Sequence, residues 1–157
     1  MSESTATAPV LVCTDGSDLS LAAISAGLGL IGDDAPIVVA MVLDGPHAFA
    51  MTGSGHAGPT MDEDEFNRQT ADAVAYTESA MAQTAEAVGR PDAECRTLDG
   101  EPGQAICNLA GEISARAIVM GTRGRSGLKR AVLGSVSDYV VRNAPCTVVV
   151  TPPVDDA

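Results

Sequence analysis

At 157 residues, 45 % of them hydrophobic, the chain suffices for one ordinary domain with a sizeable core, and two full domains would be cramped. Its formal net charge of −12 speaks against a general nucleic-acid or anionic-membrane surface, because long-range attraction to polyanions needs positive charge. The longest apolar runs, such as Ile37 to Leu43, are strand-sized and fall far short of the roughly 20 residues of a membrane-spanning helix, so neither nucleic acid nor membrane is an expected partner. Met1 to Ala8 is polar, with neither a basic start nor an apolar stretch behind it, and reads as a frayed leader; a cytoplasmic location is expected. The cysteines, Cys13, Cys95, Cys107 and Cys146, form no C-x-x-C pair and have no histidine at metal-ligand spacing. They read as small buried thiols of a reducing compartment.

In chain order, Val10 to Thr14 is a β-branched apolar run ended by Asp15-Gly16, the pattern of a strand buried on both faces. Ser17 is placed to cap a helix through about Ile31, although Gly27 and Gly29 weaken its interior. Ile37 to Leu43 is a second buried strand, followed by a stretch from Gly45 to Pro59 dense in Gly, Pro and small residues, expected to be a mobile loop at 45–60. From Met61 the acidic start Asp62-Glu63-Asp64-Glu65 suits the positive end of a helix running to Val88, before Gly89 and Pro91. Ala93 to Leu98 carries Glu94 and Arg96, as an edge strand does, and should be the weakest strand. Pro102 opens a helix with Ile106, Leu109, Ala110 and Ile113 on one apolar stripe. Ala117 to Met120 is a short buried strand, a helix follows from about Ser135 to Arg142, and Cys146 to Thr151 is the last strand. The order β-α-β-α-β-α-β-loop-α-β predicts an α/β fold with a parallel sheet and helices on both faces.

In open sheets of this class a ligand binds beyond the carboxyl ends of the strands, where neighbouring crossovers leave in opposite directions. If the first and fourth strands are neighbours, Asp15 and Gly121 emerge side by side there. The segment Gly121 to Ser137 has the features of a phosphate cradle. Gly121 and Gly124 let backbone N–H groups approach an anion, Gly134-Ser135 starts a helix whose unpaired N–H groups favour one, and Ser135 and Ser137 add hydroxyl donors. Arg123, Arg125, Lys129 and Arg130 place four of the nine Lys and Arg residues within this segment of an acidic chain. With screening over roughly 8 Å at physiological salt, this local island rather than the net charge sets the potential a phosphate meets. The loop is not a P-loop, since no Gly-Lys-Ser or Gly-Lys-Thr follows at the required distance, nor the dinucleotide fingerprint, which belongs to a first strand–helix turn.

At these residues the chain resembles the universal stress protein family. The spacing Gly121-x2-Gly124-x9-Gly134-Ser135 matches the nucleotide loop of that family's ATP-binding branch. It is joined by Thr14-Asp15-Gly16-Ser17, Val42-Leu43-Asp44 and Ala144-Pro145-Cys146-Thr147-Val148-Val149-Val150, so that the likeness spans Val10 to Pro152. The resemblance implies a Rossmann-like, adenine nucleotide alpha hydrolase-like fold whose five parallel strands take the order 3-2-1-4-5. It implies that Asp15 and the Val42 backbone contact the nucleoside and that Gly121, Arg123, Gly124, Gly134, Ser135, Val136 and Ser137 surround the phosphates. Thr14 and Met120, each at its strand's end, border the same site. Asp15, acceptor-only when ionised, suits a ribose hydroxyl or a Mg²⁺ carried in with ATP; its plainer role is that of a turn former beside Gly16. The resemblance also implies a homodimer through the last strand, Thr147 to Thr151, with an ordinary edge protected by Pro152-Pro153 as the alternative.

The expected function is therefore that of an ATP-binding stress or signalling module, with cyclic AMP or another adenine nucleotide as alternative ligand. The rival reading, slow Mg²⁺-dependent ATP hydrolysis, needs a group that positions water, and the sequence names none. No residue is assigned a catalytic role. His47 and His56 fall in the 45–60 loop and have no evident nucleophile partner.

Overall fold

The computed structural model describes residues 7–32, 34–43, 62–122 and 133–152. In chain order these form β1 (Val10–Cys13), α1 (Asp18–Leu28), β2 (Ile37–Val42), α2 (Glu63–Ala87), β3 (Glu94–Leu98), α3 (Pro102–Glu112), β4 (Ala117–Gly121), α4 (Ser135–Asn143) and β5 (Thr147–Thr151). The five strands make one parallel sheet in the order β3-β2-β1-β4-β5, as the resemblance implies.

This order explains the layering. From β1 the chain steps to β2 and on to β3, then crosses back to β4 and on to β5. Crossovers between parallel strands are right-handed, so reversing the direction of travel moves the helices to the opposite face. Accordingly Val10, Val12 and Val119 pack with Ile24 of α1, while Val39 and Met41 pack with Ala80, Met81 and Ala85 of α2 on the same face. Leu11, Cys13, Val38, Ala40, Ile118 and Met120 point the other way, against Ile106, Leu109 and Ala110 of α3 and Val140 of α4. Every residue of β1 is buried, because the strand is central and covered on both sides. β3 lies at an edge, as read from its charges. There Arg96 bonds Glu94 at 3.0 Å and Glu112 at 2.8 Å, placing charge where an unpaired strand would otherwise invite association.

Two expectations need correction. α1 ends at Leu28 rather than near Ile31, because Leu30 and Ile31 donate to Gly27 and Leu28, three residues back, in a tightened turn that closes at Gly32 with φ +90°. Nor are all four thiols buried. Cys13 is, Cys107 and Cys146 are half-buried, and Cys95 is exposed because its strand lies at the sheet edge. Gly27, read above as a weakness of α1, has a positive role: a Cβ there would sit 2.6 Å from Val119 Cγ1, so its absence lets α1 lie close on β4.

Candidate functional site

The sheet brings together the two segments that carry the expected chemistry. Val12 is level with Val39 on one side and with Val119 on the other. Extended by three residues, that register sets Asp15 level with Val42 and Thr122 at the carboxyl end of the sheet. β1 and β4 are adjacent and their crossovers leave to opposite faces, which opens the crevice where such folds bind ligands.

The β1–α1 connection is short and held by its own side chains. Thr14, buried at 7 % exposure, accepts the Gly16 N–H on its hydroxyl at 3.1 Å, and its own N–H donates to the Ala40 carbonyl at 3.0 Å. Gly16 has φ +81°, a backbone conformation that favours glycine, and the Tyr76 phenol oxygen lies 2.6 Å from where a Cβ would be. Asp15 Oδ1 accepts from the Ser17 N–H at 3.0 Å and from the Ser17 hydroxyl at 2.6 Å. Ser17 in turn caps α1, accepting the Ser20 N–H at 3.1 Å. Asp15 Oδ2 is buried and has no hydrogen-bond partner among the described residues. An orphaned buried carboxylate oxygen is costly, and it is the feature a bound donor or cation would satisfy.

The β4–α4 connection is long and pinned at its base by backbone. The Thr122 carbonyl accepts the Gly134 N–H at 2.9 Å, and the Thr122 N–H donates to the Thr151 carbonyl at 3.1 Å. The Ser137 hydroxyl, 2 % exposed, lies 3.0 Å from the Gly134 carbonyl and 3.3 Å from that of Thr122, so its single proton is directed into the loop base. A Cβ on Gly134 would meet the Thr122 oxygen at 2.9 Å, so this closure depends on glycine. α4 begins at Ser135, and its N-cap Gly134 makes no side-chain cap bond. The first-turn amides, Ser135 to Ser137, have no intrahelical acceptor and carry the positive end of the helix dipole. An acceptor oxygen thus follows β1 and helix donors follow the adjacent β4, a set whose chemistry fits a nucleotide's sugar and phosphates.

Of the remaining expected site residues, Met120 is buried in the layer facing α3 and α4, Val42 ends β2, and Gly121 ends β4. Arg123 and Gly124 lie outside the described residues, as do Arg125, Lys129, Arg130, His47 and His56. Sequence reasoning missed Thr122, whose contribution is a backbone carbonyl that no side-chain pattern encodes. It also missed Thr84 of α2, whose hydroxyl lies 3.4 Å from that of Thr14. The signal for Thr84 was legible: with Thr77 it occupies the helical stripe otherwise filled by Ala80, Met81 and Ala85. Cys13, two residues before Asp15, has its thiol pushed up to about 12, by burial first and then by Cys107 and Cys146, so it stays a neutral core group.

Fold and site together define an open parallel α/β protein with a helix N-terminus following the strand next to β1 at its switch point. Comparison with known proteins places it more closely: residues 7–152 match the model of the Universal stress protein family, and the chain belongs to that family. It is 32 % identical over 146 residues to the universal stress protein YxiE of Bacillus subtilis, covering 90 % of this chain and 96 % of that protein. Among solved structures it is similar to the universal stress protein UspA from Lactobacillus plantarum, with 26 % identity, TM-score 0.71 and coverage of 91 % and 96 % of the two chains. It is also similar to a universal stress protein crystallised in complex with cAMP, with 27 % identity, TM-score 0.62 and coverage of 96 % and 100 %.

Proposed function

We propose that this protein binds ATP, with Mg²⁺ entering alongside it, and acts as a module whose output in a stress response depends on nucleotide occupancy. The observation that carries this reading is the buried Asp15 Oδ2, without a hydrogen-bond partner among the described residues, at the end of a strand adjacent to β4, whose connection leads into the N-terminus of α4. In this reading Asp15 and the Val42 backbone hold the nucleoside. The Ser135 and Val136 amides, the Ser135 hydroxyl and the loop residues Gly121, Arg123 and Gly124 hold the phosphates. Mg²⁺ would neutralise phosphate charge, with Asp15 as its nearest carboxylate. The module works as a homodimer paired along β5, whose apolar run Val148-Val149-Val150 is only partly buried at the sheet edge.

Mass spectrometry of the freshly purified, denatured protein is expected to release an adenine nucleotide, and calorimetry with ATP and Mg²⁺ is expected to give saturable binding. Absence of binding at millimolar nucleotide would refute the reading. Gly124→Asp is expected to abolish binding, since it puts bulk and like charge where phosphate should lie. The related structure in complex with cAMP favours one second reading, cyclic AMP as the ligand. Competition between ATP and cyclic AMP at equal concentration separates the two, and a protein that retains cyclic AMP against excess ATP would favour the second.

A further inference from the structure

The two oxygens of the Asp15 carboxylate have different fates. Oδ1 accepts both the Ser17 N–H, at 3.0 Å, and the Ser17 hydroxyl, at 2.6 Å, while Oδ2 is buried without a partner among the described residues. A carboxylate turns readily about its last bond and exchanges its oxygens unless one of them is held.

Ser17 is built to hold one. A serine hydroxyl has a single proton, and here the direction of that proton is determined by the helix. One lone pair accepts the Ser20 N–H at 3.1 Å, which leaves the proton aimed back at Asp15. The capping requirement of α1 therefore orients the group that clamps the carboxylate. The other described helices lack this arrangement. Asp62 and Gly134 make no side-chain cap bond, and Glu101, an exposed residue, caps α3 through the Gln104 N–H at 2.9 Å.

We propose that Ser17 is a positioning residue of the nucleotide site, locking Asp15 so that Oδ2 alone faces the ligand and selects for sugar hydroxyls. The inference rests on the nucleotide reading above. An ionised carboxylate oxygen accepts hydrogen bonds and repels phosphate. With phosphate drawn to the α4 N-terminus, the donor covalently nearest is the ribose, whose hydroxyls a locked oxygen can discriminate from a deoxy sugar. A carboxylate plane free to swing would spend part of its time with neither oxygen directed at the sugar and lose that discrimination.

Calorimetry with Mg²⁺ and either ATP or 2′,3′-dideoxy-ATP tests this in the full-length protein. The wild type is expected to prefer ATP by about tenfold, the scale of one hydrogen bond to a charged group. Ser17→Ala is expected to cut that preference to about twofold while leaving affinity for the dideoxy compound unchanged. Ser17→Thr keeps the hydroxyl at an extended cap, φ −84° and ψ 154°, and should restore the preference. Glu101→Ala removes a helix cap elsewhere and should change neither affinity, which separates capping from positioning. A readout without nucleotide comes from atomic-resolution crystal structures, with one orientation of the Asp15 carboxylate plane expected in the wild type and more than one in Ser17→Ala. A wild type that binds neither nucleotide overturns the nucleotide reading. A preference that survives in Ser17→Ala, or an Asp15 carboxylate plane that keeps a single orientation there, overturns the positioning role alone.

Discussion

The two connections at the switch point solve the same geometric problem, turning from a buried strand into a helix, by opposite means. Between β1 and α1 the turn takes four residues; the side chains of Thr14 and Asp15 accept the Gly16 and Ser17 N–H groups, and that of Ser17 caps the helix. Between β4 and α4 the chain makes a long excursion whose ends meet through the Thr122 carbonyl and the Gly134 amide. The first spends its side chains on itself and retains one acceptor, Asp15 Oδ2; the second closes on its backbone and leaves the first-turn donors of α4. An acceptor and a set of donors are the two halves of a nucleotide site.

That contrast is open to test, beginning with the largest effect. Gly134→Val puts a branched side chain where even a Cβ would lie 2.9 Å from the Thr122 oxygen, a backbone atom that cannot step aside. The loop base should open, weakening ATP binding more than about 100-fold and costing about 1–3 kcal/mol in thermal or urea denaturation. ATP affinity retained in this variant would mean that the closed base is irrelevant to the site. Asp15→Ala comes next, with ATP affinity expected to fall by about 10- to 100-fold while the stability loss stays near 1 kcal/mol, because only Oδ1 takes part in the turn. A loss of stability without loss of affinity would assign Asp15 to the turn alone.

Cys13 probes the strand beneath that turn. Its thiol is raised from an ordinary 9.0 to about 12 in the fold, so the unfolded chain releases this proton at lower pH than the folded one does. Stability is therefore unaffected by Cys13 below pH 9 and should decline from there towards pH 12, at a slope of up to about 1.4 kcal/mol per pH unit. Denaturation midpoints across alkaline pH should flatten in Cys13→Ala, and an equally steep fall in that variant would place the cause elsewhere. The smallest effect belongs to Asp138→Asn. The Arg142–Asp138 pair, at 3.0 Å, is a surface contact one turn apart on α4, and its loss should cost under about 0.5 kcal/mol. ATP affinity in that variant should match the wild type, since the donors are the backbone amides of Ser135 to Ser137, which the substitution leaves in place.

Much of this architecture was legible from residue pattern. The strand cores Val10–Cys13 and Ile37–Val42 are β-branched and unalternating, the reading demanded by a sheet covered on both faces. Ser17 as cap, Pro102 at the start of α3 and the charged β3 edge each follow from local chemistry that a neighbour cannot easily reverse. In the candidate site, Asp15 and Gly134-Ser135 were identifiable because a carboxylate after a buried strand and a glycine before a helix have few uses. Thr122 was not, since its role is performed by a carbonyl common to every residue. The exposure of Cys95 was also hidden, because it depends on which strand ends up at the edge.

By itself, then, the order of residues determined where helices and strands form, which faces are apolar and which segments carry acceptors or donors, because propensity, capping and periodicity act over a few positions. Only tertiary structure decided that Gly27 must be bare to admit Val119, that Gly134 must be bare to admit Thr122, and that one oxygen of Asp15 is bonded while the other has no partner among the described residues. The physical reason is that close packing and hydrogen-bond satisfaction are set by atoms far apart in the chain, and those distances exist only once the sheet has assembled.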